Sequence, residues 1–105
     1  MKRAKVQVRW PHGLHLRPAT QLVQLSQHFR SAVWLRLGPH RASLRSILSL
    51  VSLCAAMGAT LDLEAIGDDE DSVVRAVEHY FQSSDDDGPG DDTVPANIDP
   101  GNGGN

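Results

Sequence analysis

The chain of 105 residues has a single cysteine, Cys54, so no internal disulfide can form. It has no apolar run near the roughly 20 residues that a membrane-spanning helix needs. The basic N-terminus, MKRAKVQVRW, is not followed by the apolar stretch of a secretory signal. Together these point to a reducing, cytoplasmic setting. Aromatic residues make up 5% of the chain, and no aromatic signature of an RNA-recognition sheet is present. Acidic residues are missing altogether from residues 1–45, which carry nine Lys and Arg.

The net charge of −3 therefore hides two halves of opposite sign. All 13 acidic residues follow residue 45, and six of them (Asp85, Asp86, Asp87, Asp91, Asp92 and Asp99) follow Ser83. The stretch SSDDDGPGDDTVPANIDPGNGGN has Val94 and Ile98 as its only large apolar residues. Its composition cannot bury enough surface to offset ordering entropy, so 84–105 is expected to be a disordered acidic tail. Residues 1–83 hold 10 basic and 7 acidic groups and form one small domain. A basic first half suits an anionic partner: phosphate, nucleic acid or an acidic protein surface.

The hydrophobic pattern sets an order of seven elements. Ala4, Val6, Val8 and Trp10 alternate with polar residues, the pattern of a half-buried strand over 2–10. Ala19, Leu22, Val23, Ser26 and Phe29 follow at helical spacing, and Pro18 suits a first turn, so a helix is expected from about Pro18. AVWLRL (32–37) reads as a second strand, Gly38-Pro39 as a turn, and 40–43 as a third strand pairing back. The next segment, SLRSILSLVSLCAAMG, reads as a helix capped by Ser43 or Ser46 and stopped at Gly58. It is apolar nearly all round, so part of it should stay exposed for a partner. TLDLEAI (60–66) turns Leu61, Leu63 and Ala65 inward as a fourth strand. A last helix opens on Asp69, Glu70 and Asp71, which suit a helix N-terminus, and shows Val73, Val74, Val77, Tyr80 and Phe81 at helical spacing. The order βαββαβα on an amphipathic sheet predicts an α+β two-layer sandwich.

Of five histidines, His15 has the most suggestive position. It lies in a loop after Gly13, two residues before Arg17 and just before a helix N-terminus. Backbone N–H groups there favour an anion, and Arg17 adds a fixed positive donor. An imidazole that accepts a phosphoryl group needs such surroundings, because the incoming group brings negative charge. A polar loop histidine without chemistry is the plain alternative. His12 and His15 as metal ligands lack a nearby carboxylate or thiolate, so no metal site is expected. A hydrolase reading lacks a carboxylate in residues 1–45 to orient His15. Nucleic-acid binding has charge in its favour, but Trp10 and Trp34 alone as strand aromatics.

Gly13-Leu14-His15-Leu16-Arg17-Pro18-Ala19 resembles the active-site motif of the histidine-containing phosphocarrier (HPr) family of the bacterial phosphotransferase system, and the element order and Ser46-Ile47-Leu48 fit the same family over about residues 1–83. The resemblance implies a four-stranded antiparallel sheet, ordered first, fourth, second, third, with three helices on one face. It implies that His15 takes a phosphoryl group through Nδ1 from phospho-enzyme I, charged by phosphoenolpyruvate. The group then passes to a histidine of a sugar-specific or regulatory acceptor; the regulatory nitrogen-related branch of the family shares the motif, so the alternative is a paralogue, of that branch or controlled at Ser46, not engaged in sugar uptake. Arg17 would contact the phosphoryl group and Pro18 would shape the helix start. Leu16, Thr20, Gln24, Ile47, Leu48 and Val51 would form the docking surface. Ser46 would match a regulatory serine that an HPr kinase phosphorylates in some bacteria. The protein would be a monomeric, stoichiometric carrier, with no cofactor and no turnover of its own. Leu16 departs from the Ala or Thr usual after the histidine. Cys54 stands where glycine is common, and is expected to be a buried, inert thiol.

Overall fold

A computed structural model describes residues 1–83. The acidic tail expected over 84–105 lies outside the described residues.

Four strands and three helices follow in the expected order: β1 (Lys2–Gln7), α1 (Leu16–Ser26), β2 (Ala32–Leu37), β3 (His40–Ser43), α2 (Ile47–Ser52), β4 (Thr60–Ile66) and α3 (Glu70–Ser83). The strands form one antiparallel sheet in the order β1-β4-β2-β3. In register, Val6 stands opposite Leu61, and Leu63 lies between Ala4 and Leu35. The period-2 alternation therefore puts Val6, Val33, Leu35, Ala42, Leu61, Leu63 and Ala65 on one buried face. Leu22, Leu50, Val73, Val77 and Phe81 from the three helices join them in a single core. The expected two-layer α+β architecture is the one observed.

The opposite face of the sheet is polar and self-paired. Lys5 donates to Asp62 at 2.7 Å, Arg36 meets Glu64 at 3.8 Å, and the Arg41 guanidinium lies 4.8 Å from the Trp34 ring centre. Lys5 holds the Asp62 carboxyl below the usual carboxylate range, first by its hydrogen bond and then by its charge.

Element boundaries differ from the sequence reading at three places. The ladder of β1 stops at Gln7, although Val8 still pairs with the 58–59 segment through Val8 N to Ala59 O and Gly58 N to Val8 O, both 2.8 Å. Second, α1 begins at Leu16, so Arg17 is helical despite preceding a proline. Burial of Pro18 and Ala19 and the first helical bond, Ala19 N to His15 O at 3.1 Å, outweigh the pre-proline bias. Third, α2 spans six residues and ends far short of Gly58. Leu53 caps it, and Cys54 turns into the left-handed region at φ 53°, a conformation that costs a non-glycine residue about 1–2 kcal/mol. Cys54 is also exposed, which overturns the expectation of a buried thiol. The apolar periodicity of residues 53–57 belongs to a loop that sends Leu53 and Ala55 into the core.

The helix starts are settled by specific bonds. Ser46, not Ser43, caps α2 by accepting from Ser49 N at 3.2 Å. Asp69 does more than favour the α3 dipole: its carboxylate accepts from the Ser31 hydroxyl and from the backbone N–H groups of Arg30 and Ser31. It thereby ties the start of α3 to the α1–β2 connection. Those bonds, the Ser31 hydroxyl foremost, hold the Asp69 carboxyl below its ordinary range. Ser26, in the core face of α1, is satisfied by donating to Val23 O and Leu44 O.

Candidate phosphoryl site at the start of α1

The site is built on the loop between β1 and α1. Its two ends are buried: Trp10 packs against Tyr80 and Phe81 of α3, with ring centres 5.5 and 5.1 Å away, and Leu14 enters the core. Between them the chain turns, with Gly13 N donating to Trp10 O at 2.8 Å and His15 N to Gly13 O at 2.9 Å. Gly13 has φ +74° and sits against the loop after α2, where an added Cβ would run into the Ala55 carbonyl. Leu14 N donates to that same carbonyl at 2.9 Å. Glycine is required here both for the backbone conformation and for the close approach.

His15 is the N-cap residue of α1, in extended backbone conformation, and its side chain makes no capping hydrogen bond. The ring is half-buried and stands at the helix start, where the first-turn N–H groups point outward. Arg17, also half-buried, lies in that first turn, and α1 has no acidic residue there. Pro18 is buried in the same turn, where its missing N–H costs no helical bond. The local field therefore favours an anion at His15.

The other predicted residues fall on α1 and α2, which pack against each other. Leu16 and Leu48 are 62% and 79% exposed, large values for leucine. Ile47, Val51 and Thr20 are half-buried, and Gln24 is exposed. Thr20 Oγ1 donates to Leu16 O at 2.8 Å, within α1. The expected exposure of part of the second helix is thus observed at Leu48, while Leu50 is fully buried. Ser46 is half-buried, and its hydroxyl donates to Ser49 Oγ at 2.9 Å while capping the helix.

Trp10 is buried and cannot stack on a base. No cluster of three or more metal-ligating side chains exists among the described residues. Clefts occur elsewhere, between the β1 edge and the end of α3 (Lys5, Gln7, Arg9, Phe81, Gln82) and on the open sheet face (Arg3, Lys5, Arg36, Asp62, Glu64). No described helix is long and apolar enough to cross a membrane. The clamp of Gly13 on Ala55 escaped the sequence reading, and the His12–His15 pair weighed there as metal ligands stands in ring contact. The glycine was visible as a loop signal, but its partner lies 42 positions on.

Comparison with known proteins agrees with this geometry. The family model described as "PTS HPr component phosphorylation site" matches residues 2–83. The phosphocarrier protein HPr of Lysinibacillus sphaericus is 38% identical over 77 residues, covering 73% of this chain and 88% of that protein. The HPr-like protein Crh of Bacillus subtilis is 35% identical over 82 residues, covering 78% and 96%. A crystal structure of HPr-C-His from Thermoanaerobacter tengcongensis superposes with a TM-score of 0.75 at 31% identity, over 79% of this chain and 93% of that one. The match over nearly all described residues, on a sheet of the same order, places the chain in the HPr phosphocarrier family of the phosphotransferase system.

Proposed function

We propose that the protein accepts a phosphoryl group on Nδ1 of His15 from phosphorylated enzyme I and passes it to a histidine of a sugar-specific or regulatory acceptor protein. The observation that carries this reading is the position of His15 as the N-cap of α1, with Arg17 in the same first turn and no acidic residue beside them. In the transfer a nitrogen–phosphorus bond forms at His15 as the donor's breaks. The donor ring keeps the bonding pair and takes up a proton. The charge that arrives is held by Arg17 and by the helix terminus. A half-buried histidine at the protein surface, at the start of a helix, suits exchange between two proteins better than turnover of a small molecule, so the reading is of a carrier and not an enzyme. Leu16 and Leu48, with Thr20, Gln24, Ile47 and Val51 around them, supply the apolar docking patch.

The likeness to Crh, whose solved structure bears the description "catabolite repression HPr", favours a second reading in which the protein serves regulation, with Ser46 as a phosphorylation site. Both readings share the same first test. Enzyme I and phosphoenolpyruvate should add one acid-labile, alkali-stable phosphate to the wild type and none to His15→Ala, with the fold intact in both. Arg17→Ala should keep the acceptor but transfer about ten- to a hundredfold more slowly, the worth of one charge-assisted hydrogen bond of about 1.5–3 kcal/mol. Equal labelling of the wild type and His15→Ala would refute the assignment. Labelling with acceptors of each kind separates transport from regulation.

A further inference from the structure

Two imidazoles stand together at the start of α1. The His12 and His15 ring centres are 5.7 Å apart and the rings meet edge to face, at 85°. The loop that carries them is pinned on both sides of His12. Trp10 and Leu14 are buried, Gly13 is bonded to Trp10 and wedged against Ala55, and Leu14 is bonded to Ala55. With residues 10 and 14 committed to the core, His12 is left at the surface beside His15. As metal ligands the two rings gain no third partner among the described residues. An anion fits better, because Arg17 and the first turn of α1 already favour negative charge at this point.

We propose that His12 is a second binding group of the phosphoryl site, its ring N–H donating to the phosphoryl group that His15 carries. The inference rests on the reading of His15 as the acceptor. A phosphoryl group on one ring occupies the space beside the other at this separation. A neutral imidazole offers one N–H and a protonated one offers two. His12 makes and breaks no covalent bond: the single nitrogen–phosphorus bond forms at His15 and breaks at the donor. Its contribution grows with the negative charge that the phosphoryl group brings to the site. It therefore stabilises the phosphorylated form and leaves the unphosphorylated fold unaffected.

The test uses the full chain, enzyme I and labelled phosphoenolpyruvate, with His12→Phe, His12→Gln and His15→Ala. Phenylalanine keeps an aromatic edge against His15 and removes the donor. Glutamine restores a donor without the ring. His12→Phe should melt at the wild-type temperature, yet its phosphorylated fraction at equilibrium with enzyme I should fall about tenfold relative to the unphosphorylated form, and its phosphorus resonance should move. His12→Gln should recover most of both. A His12→Phe protein with the wild-type equilibrium and resonance overturns the inference while the His15 reading stands. A defect that glutamine leaves uncorrected also overturns it, because the ring would then act by packing. A wild type that takes no phosphate, or label that persists in His15→Ala, overturns the His15 reading and this inference with it.

Discussion

Replacing Gly13 with alanine tests the clamp beneath His15, and Gly38→Ala is its control. Both glycines have positive φ, +74° and +60°, so each variant bears the cost of a left-handed alanine, about 1–2 kcal/mol. At Gly38 the new methyl meets nothing within 4 Å. At Gly13 it meets the backbone of Ala55 and Ala56, which cannot swing aside as a side chain can. Overpacking of that kind costs about 1–3 kcal/mol. Displacing the Ala55 carbonyl also weakens its bond from Leu14 N, worth about 1 kcal/mol. The expected gap between the two variants is therefore about 2–4 kcal/mol, a large share of the roughly 5–15 kcal/mol that holds a small domain folded. For a domain of this size each kcal/mol moves the melting temperature by about 4–8 °C. Gly13→Ala should melt about 10 °C or more below Gly38→Ala. It should also accept phosphate more slowly, while Gly38→Ala transfers at the wild-type rate. Coincident melting curves would refute the reasoning, because the clash would then relax without cost.

Asp69 has a folded-state pKa below its ordinary value, so its bonds add stability that is complete above about pH 4 and lost as pH falls through the depressed value. Acid should therefore lower the melting temperature of the wild type more steeply than that of Asp69→Asn; Asp62, depressed by Lys5, acts in the same window in both proteins, and parallel acid limbs would exclude a role for Asp69. Ser46→Ala should cost up to about 1 kcal/mol through loss of the α2 cap, measured by urea unfolding, with normal phosphotransfer. Ser46→Asp should keep stability but slow phosphorylation of His15 by enzyme I, since the charge enters a patch that also holds Ile47 and Leu48; a wild-type rate across enzyme I concentrations would leave Ser46 as a cap and no switch.

Strands were legible because their periodicity is local. The bounds of β2, β3 and β4 match the alternation of AVWLRL, the four residues after the turn, and TLDLEAI. The inward set Leu61, Leu63 and Ala65 is the buried set. Around His15, a glycine and a proline within seven residues state a loop and a nearby helix start, while it was the resemblance of the whole motif to the HPr family that singled out the histidine. What stayed hidden depends on distant partners. The apolar run from Ile47 to Met57 reads as one helix, and nothing local reveals that Leu53 and Ala55 enter the core from a loop. Asp69 looks like any acidic residue at a helix start until Ser31, 38 positions earlier, is brought beside it.

The support under His15 joins two left-handed residues that are distant in sequence. Gly13 lies in the loop before α1, Cys54 follows the C-cap of α2, and the bond from Leu14 N to Ala55 O runs between their immediate neighbours. The turn at Cys54 stops α2 after six residues and leads directly into Ala55, which is buried and whose carbonyl faces Gly13. The thiol itself is exposed, so its packing cannot offset the backbone strain. The offset comes instead from burial of Ala55 and from its bond to Leu14. One backbone contact thus contributes both to stability and to the placement of His15. A change at residue 54 that relaxes the turn alters the aim of the Ala55 carbonyl as well as the melting temperature. With the burial of Trp10 and Leu14, the same contact helps to fix the short loop on which the His12 and His15 rings stand.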